Sequence, residues 1–177
     1  PVIFEALRLR RPGIPVVWNS SGYETGELVE AAARFVDVFL PDLKYFSAET
    51  AQQLAGAPDY FPVAMAAIRA MCQAKGAPVY DADGLMQSGT LVRHLILPLR
   101  TSESLRILDA IAEELPSGTP VSLMRQYTPM NGVNLPGLDR RLTAREYARV
   151  RDYMLALGLE GYLQSQESAD SAFTPAF

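Results

Sequence analysis

Four strand-length apolar runs, each followed by helix-start signals, constrain this chain more than any other feature. The runs are residues 14–18 (Ile-Pro-Val-Val-Trp), 35–40, 90–97 (Thr-Leu-Val-Arg-His-Leu-Ile-Leu) and 120–125. They are continuous rather than alternating, the pattern of strands covered on both faces. Between them lie helix starts: Thr25, Ser47 with Glu49 in the first turn, Thr101-Ser102-Glu103-Ser104, and the capping box Thr143-Ala144-Arg145-Glu146. In each, a hydroxyl or carboxylate can satisfy amides that a helix start leaves without partners. Gly76, Pro116-Ser117-Gly118 and Gly158 stop helices. Residues 2–9 read as a further helix, 61–75 as a long one and 161–164 as a last short strand. Strand and helix in turn predict an α/β fold around a parallel sheet. Asp83-Gly84 between the short runs 78–81 and 85–87 adds a small β-hairpin. At 177 residues, the whole chain 1–177 reads as one domain.

Composition narrows the partners. The net charge is -4, so no basic surface speaks for nucleic acid. No apolar run reaches the roughly 18 residues of a membrane span. Cys72 is the single cysteine, so no internal disulfide is expected and a reducing, cytoplasmic compartment is. Cys72 sits in a helical apolar pattern and reads as a small core residue. The start, Pro1-Val2-Ile3-Phe4, has no initiator Met and opens inside an apparent helix. A piece of a longer protein is the expectation.

In parallel α/β folds, ligands bind at the C-terminal ends of the strands. There the sequence supplies Asn19, Ser20 and Ser21 after the first run, Asp42 and Lys44 after the second, Arg93 and His94 within the third, and Arg125, Gln126 and Tyr127 after the fourth. Asp42 and Lys44 are two apart and share a strand face. A carboxylate there can accept from a ligand amine or hydroxyl, and a lysine can pair with a ligand carboxylate. Arg93 and His94 are adjacent and must face opposite ways. An arginine on such a strand calls for an anion, either a ligand or Asp42. His94, the only histidine, reads first as a hydrogen-bonded core or rim residue. Trp18 is expected between sheet and helix. Asp81 and Asp83 are explained by turn chemistry.

In their order along the chain, these strings resemble the pyruvate formate-lyase activating enzymes of the radical S-adenosylmethionine (SAM) superfamily. Val38-Phe39-Leu40-Pro41-Asp42-Leu43-Lys44 looks like their Asp-Leu-Lys strand. Val92-Arg93-His94-Leu95-Ile96-Leu97-Pro98 resembles their Val-Arg-aromatic-apolar-apolar-apolar-Pro strand. Asn19-Ser20-Ser21-Gly22-Tyr23 stands where they carry an Asn-Gly turn. The stretches 122–129 and 161–164 are closer to an uncharacterised subgroup of activating-enzyme-like proteins.

The resemblance implies the later strands of a partial (β/α)6 barrel. It also implies a parent protein with a [4Fe-4S] cluster held by a CxxxCxxC loop, and SAM bound at that cluster. Reductive cleavage of SAM would then give a radical that abstracts hydrogen from a glycyl-radical protein or a small-molecule substrate, with a flavodoxin or ferredoxin as electron donor. Asp42 and Lys44 match the pair expected at SAM, and Arg93 matches a rim position near it. Asn19, Ser21, His94 and Tyr127 complete the candidate cofactor-binding set. Asn19 stands in place of an acidic residue that helps hold a cation, and Tyr127 stands near a family histidine. The cluster motif and the glycine-rich motif for the SAM amine are both missing. The expectation is a C-terminal portion with no radical chemistry of its own and an open, hydrophobic sheet edge. Two other readings stay open: a non-redox half-barrel binding module, and an ordinary barrel enzyme using Asp42, Lys44 and His94 in acid–base work.

Overall fold

The computed structural model describes residues 2–9, 13–129, 135 and 137–164. The elements run α1 (Val2–Leu9), β1 (Val17–Ser20), α2 (Gly26–Ala33), β2 (Val38–Pro41), α3 (Ala48–Ala55), α4 (Tyr60–Lys75), β3 (Val79–Tyr80), β4 (Met86–Thr90), β5 (Val92–Leu95), α5 (Thr101–Glu114), β6 (Val121–Met124), α6 (Ala144–Ala156) and β7 (Gly161–Leu163). This is the mixed α/β fold with parallel sheets that the apolar runs predict.

Three of the four expected helix starts are capped as their chemistry dictates, while α5 begins after Arg100 with no side-chain cap, its Glu103 turned to the start of α3. The side chains of Thr25, Ser47 and Thr143 accept from the amides of Leu28, Thr50 and Glu146. The Thr143–Glu146 box is reciprocal. Gly56 closes α3 in the left-handed conformation at φ 66°, where a side chain would be strained. The hairpin forms too: β3 runs antiparallel to β4, and Asp81 accepts from the amides of Asp83 and Leu85 across the turn.

Two strands are displaced from their apolar runs. β1 begins at Val17, because Pro15 has no amide and the Val16 amide goes to the Asp37 carboxylate at 2.8 Å. β2 begins at Val38, because the amides of Phe35 and Val36 still close on the Ala32 carbonyl at the end of α2. The third run divides into β4 and β5 at Leu91. Only its first residue, Thr90, belongs to β4, which pairs with β2, while residues 92–95 form β5 and pair with β6. The bridge Asp42↔Arg93 continues the register of Val38↔Gly89, so β4 and β5 follow one strand path. The parallel pairs β1–β2, β2–β4, β5–β6 and β6–β7 then follow chain order.

One face of this path is packed. Leu43, Val92, Ile96, Val121 and Leu123 join Ile68, Ile107 and Leu108 in the larger core. A second cluster gathers Phe39, Phe4, Val29 and Met71, with Trp18 against Phe4 at 5.5 Å. Cys72 is buried in α4, 4.0 Å from the Thr119 hydroxyl, and burial pushes its thiol up. The residues between these on β5 and β6, Arg93, Leu95, Ser122 and Met124, are only half-buried. Among the described residues β1 pairs only with β2, and its Val17 is 51% exposed. At the other end Tyr162 and Leu163 of β7 are exposed. No described helix is long and apolar enough to cross a membrane.

Candidate functional site

β1 at Asn19, the chain just past β2 and β5 at Arg93, its second residue, come together around the Asp42 carboxylate. Lys44 Nζ lies 3.2 Å from Asp42 Oδ2, as expected for two residues on one strand face. Arg93 Nη2 lies 2.6 Å from Asp42 Oδ1, an ion pair without hydrogen-bond alignment. The same nitrogen donates to Asn19 Oδ1 at 2.6 Å. Asp42 itself is 9% exposed, while the side chains of Arg93 and Lys44 are 23% and 36% exposed. Arg93 Nε is buried with no hydrogen-bond partner among the described residues. The cluster thus joins one acid, two cations and an amide, with donor capacity left over and an open side.

His94 lies elsewhere. The alternation of the strand turns it to the helix side, where it is 1% exposed. Its Nδ1–H donates to the Leu43 carbonyl at 2.7 Å, because a carbonyl can only accept. Nε2 then accepts from the Ser104 hydroxyl at 2.9 Å. Burial, more than any partner, pushes its pKa down to about 4, so the ring is neutral. Both nitrogens are taken by the protein. His94 shares with Lys44 the wall of a cavity of about 10 Å³, which holds at most one water.

Ser21 reaches the site through its backbone. Its carbonyl accepts from the Tyr60 hydroxyl at 2.7 Å, while its own hydroxyl accepts from the Tyr23 amide. Tyr127 donates to the Leu138 carbonyl at 2.8 Å and is thereby tied to the segment after β6. It lies near Tyr45, whose phenol is pushed up by burial first and by the Asp42 carboxylate second. Between Tyr127 and the α6 capping box, Gly132 and Pro136 lie outside the described residues.

Two residues that sequence patterns do not flag support the cluster from behind. Glu103, in the first turn of α5, accepts from the amides of Phe46 and Ser47 and from the hydroxyls of Ser47 and Thr50. It anchors the start of α3, just past Lys44. Tyr60, at the start of α4, bonds both strand-end segments. Neither has a local signal, since an acidic residue in a first helical turn and an aromatic at a helix start are both ordinary.

No three His, Cys, Asp or Glu side chains gather as a metal site among the described residues. Cys72, the chain's one cysteine, is sealed in α4. The residues present do not fit an iron–sulfur cluster, which needs several thiolates at one place.

Comparison with known proteins bears on the fold. No family model matches the chain. Over 146 residues, 81% of its length, it is 30% identical to the uncharacterized protein MJ0674 of Methanocaldococcus jannaschii, of which it covers 39%. Its fold is similar to that of a crystallised domain of a pyruvate-formate lyase-activating enzyme from Bacteroides vulgatus. The TM-score is 0.64 with 14% identity, over 93% of this chain and 90% of that one. A likeness at that identity is one of fold, and folds of this kind host many activities.

Proposed function

We propose that this chain is the C-terminal portion of a radical SAM protein of the activating-enzyme type, and that its Asp42–Lys44–Arg93–Asn19 cluster holds the polar end of SAM. The observation that carries the reading is the meeting of an acid, two cations and an amide contributed by three neighbouring strand paths. SAM ends in an α-amino carboxylate. Asp42 suits its ammonium, and Lys44 or Arg93 suits its carboxylate. The partly exposed Arg93 guanidinium and the half-open Lys44 leave donors for that purpose. Parallel strands paired in chain order support a partial (β/α)6 barrel whose interior face carries the cluster.

When bound beside a reduced cluster, SAM supplies a radical able to abstract hydrogen. This chain's residues bind and orient it and do no redox work. The cysteines belong, on this reading, to a CxxxCxxC segment elsewhere in the longer protein. So do the contacts to a glycyl-radical protein or small-molecule substrate, and to a flavodoxin- or ferredoxin-like electron donor. The 39% coverage of MJ0674 is in keeping with a longer parent.

Titration of the chain with SAM in a calorimeter tests this. One saturable site is expected, weakened tenfold or more by Asp42→Asn and by Lys44→Met. Binding that ignores both substitutions, or no binding, would sink the assignment. A parent gene without an in-frame CxxxCxxC would sink the radical reading separately.

A further inference from the structure

Tyr60 belongs to no site motif, yet its hydroxyl is the point where the two strand-end segments meet. It lies 2.7 Å from the Ser21 carbonyl and 2.8 Å from the Asp42 carbonyl, and it accepts from the Lys44 amide at 3.1 Å. One hydroxyl proton is shared between two acceptors while an oxygen lone pair takes the amide. The ring is 3% exposed. It is stacked on Tyr23 at 6.0 Å and meets Tyr45 edge-on at 5.2 Å. A ring with two torsions, clamped on both sides and rooted in α4, holds its hydroxyl at a set height. Gly22 makes the closeness possible: at φ 78° its missing Cβ would fall on the Asp42 carbonyl oxygen.

We propose that Tyr60 is a positioning residue of the site, setting the distance between the segment after β1 and the Asp42–Lys44 corner. The proposal rests on the reading of that corner as a SAM site. Asn19 lies in β1 and Asp42 just past β2, and the β1–β2 ladder with the Asp42 amide on the Ser20 carbonyl at 3.0 Å holds the two together. Tyr60 braces the chain just beyond that ladder, and both side chains, Asn19 and Asp42, touch Arg93 Nη2. The hydroxyl therefore fixes how the Asp42–Lys44 corner leaves the ladder, and with it how the Asp42 carboxylate meets the guanidinium that Asn19 also holds. Without it, two carbonyls and an amide turn toward other partners, and the cations lose their shared geometry before any ligand arrives.

Tyr60→Phe removes the hydroxyl and leaves the ring. The expected result is a tenfold or larger acceleration of hydrogen exchange at the Lys44 amide and a tenfold or larger loss of SAM affinity by calorimetry. Exchange at the Met65 amide in α4 should be unchanged, which separates positioning from general loosening. Gly22→Ala keeps the hydroxyl but pushes the first segment off the Asp42 carbonyl, and it should weaken SAM to a similar degree. It also serves if Tyr60→Phe does not fold. Tyr23→Phe removes a neighbouring hydroxyl that bonds Asp59, and should leave the affinity alone. Wild-type affinity in both Tyr60→Phe and Gly22→Ala, or unaltered Lys44 exchange in Tyr60→Phe, would overturn the proposal. Absence of SAM binding by the unsubstituted chain would count against the SAM reading instead, and Lys44 exchange alone would then decide the role of Tyr60.

Discussion

Arg93 and His94 are neighbours on β5, and the strand hands them to opposite environments. Arg93 faces the open side, half-buried, sharing one nitrogen between Asp42 and Asn19. His94 faces the helices, fully enclosed, with both ring nitrogens bonded. The open face tolerates charge because water and a ligand can reach it. The packed face accepts a polar ring only in its neutral form, with each nitrogen matched. A charged group on a sheet face therefore marks where a ligand has access, and a neutral, bonded one marks where the core is closed.

If this contrast is right, substitutions on the two faces diverge. His94→Ala removes a fully buried ring and strands the Leu43 carbonyl and the Ser104 hydroxyl. It should cost about 3–5 kcal/mol in urea denaturation. The intact ring should also show itself in pH dependence. Its pKa is about 4 in the folded chain against 6.5 for the free group. Between those values the unfolded chain binds the additional proton, so stability rises with pH across that window and is level above it. Acidification from pH 7 should remove about 3 kcal/mol by pH 4. Denaturation midpoints measured against pH would give the slope, and His94→Gln should flatten it. A slope that survives His94→Gln would mean that another group carries it.

Effects on the open face should be smaller in stability and larger in binding. Asp42→Asn leaves the Arg93 guanidinium without its anion. Partial exposure limits the cost to about 1–2 kcal/mol, below that of a fully buried pair. Thermal melts measure this alongside the loss of SAM affinity. Lys44→Met, on the more exposed partner, should change stability by less than about 0.5 kcal/mol while still weakening SAM tenfold. A Lys44→Met variant that is strongly destabilised would erase the distinction between the faces.

Much of this contrast is legible in the sequence. The two-residue spacing of Asp42 and Lys44 puts both on one face, and the adjacency of Arg93 and His94 puts them on two. The capping hydroxyls of Ser47 and Thr143 and the Asp83-Gly84 turn are local chemistry, and they form as written. The strand limits are less legible. Leu91 splits an apolar run near its start because the residues before it belong to a strand on β2 and those after it to a strand paired with β6. Pairing of that kind depends on segments far away in the chain. The bonds of Glu103 to the start of α3 and of Tyr60 to two strand ends are hidden for the same reason.

Periodicity and capping follow from neighbours within about four residues, so the order of strands and helices, the capped helix starts and the facing of Asp42, Lys44, Arg93 and His94 are written locally. Which face lies open is not. Nor is the meeting of Asn19 with Arg93, 74 positions apart, or the bracing of Ser21 against Asp42 by Tyr60. These depend on strand register and helix packing, which exist only once distant segments have closed on one another. The short list of charged residues at strand ends is thus a property of the sequence. The site they make, with one carboxylate between two cations and a tyrosine behind it, is a property of the fold.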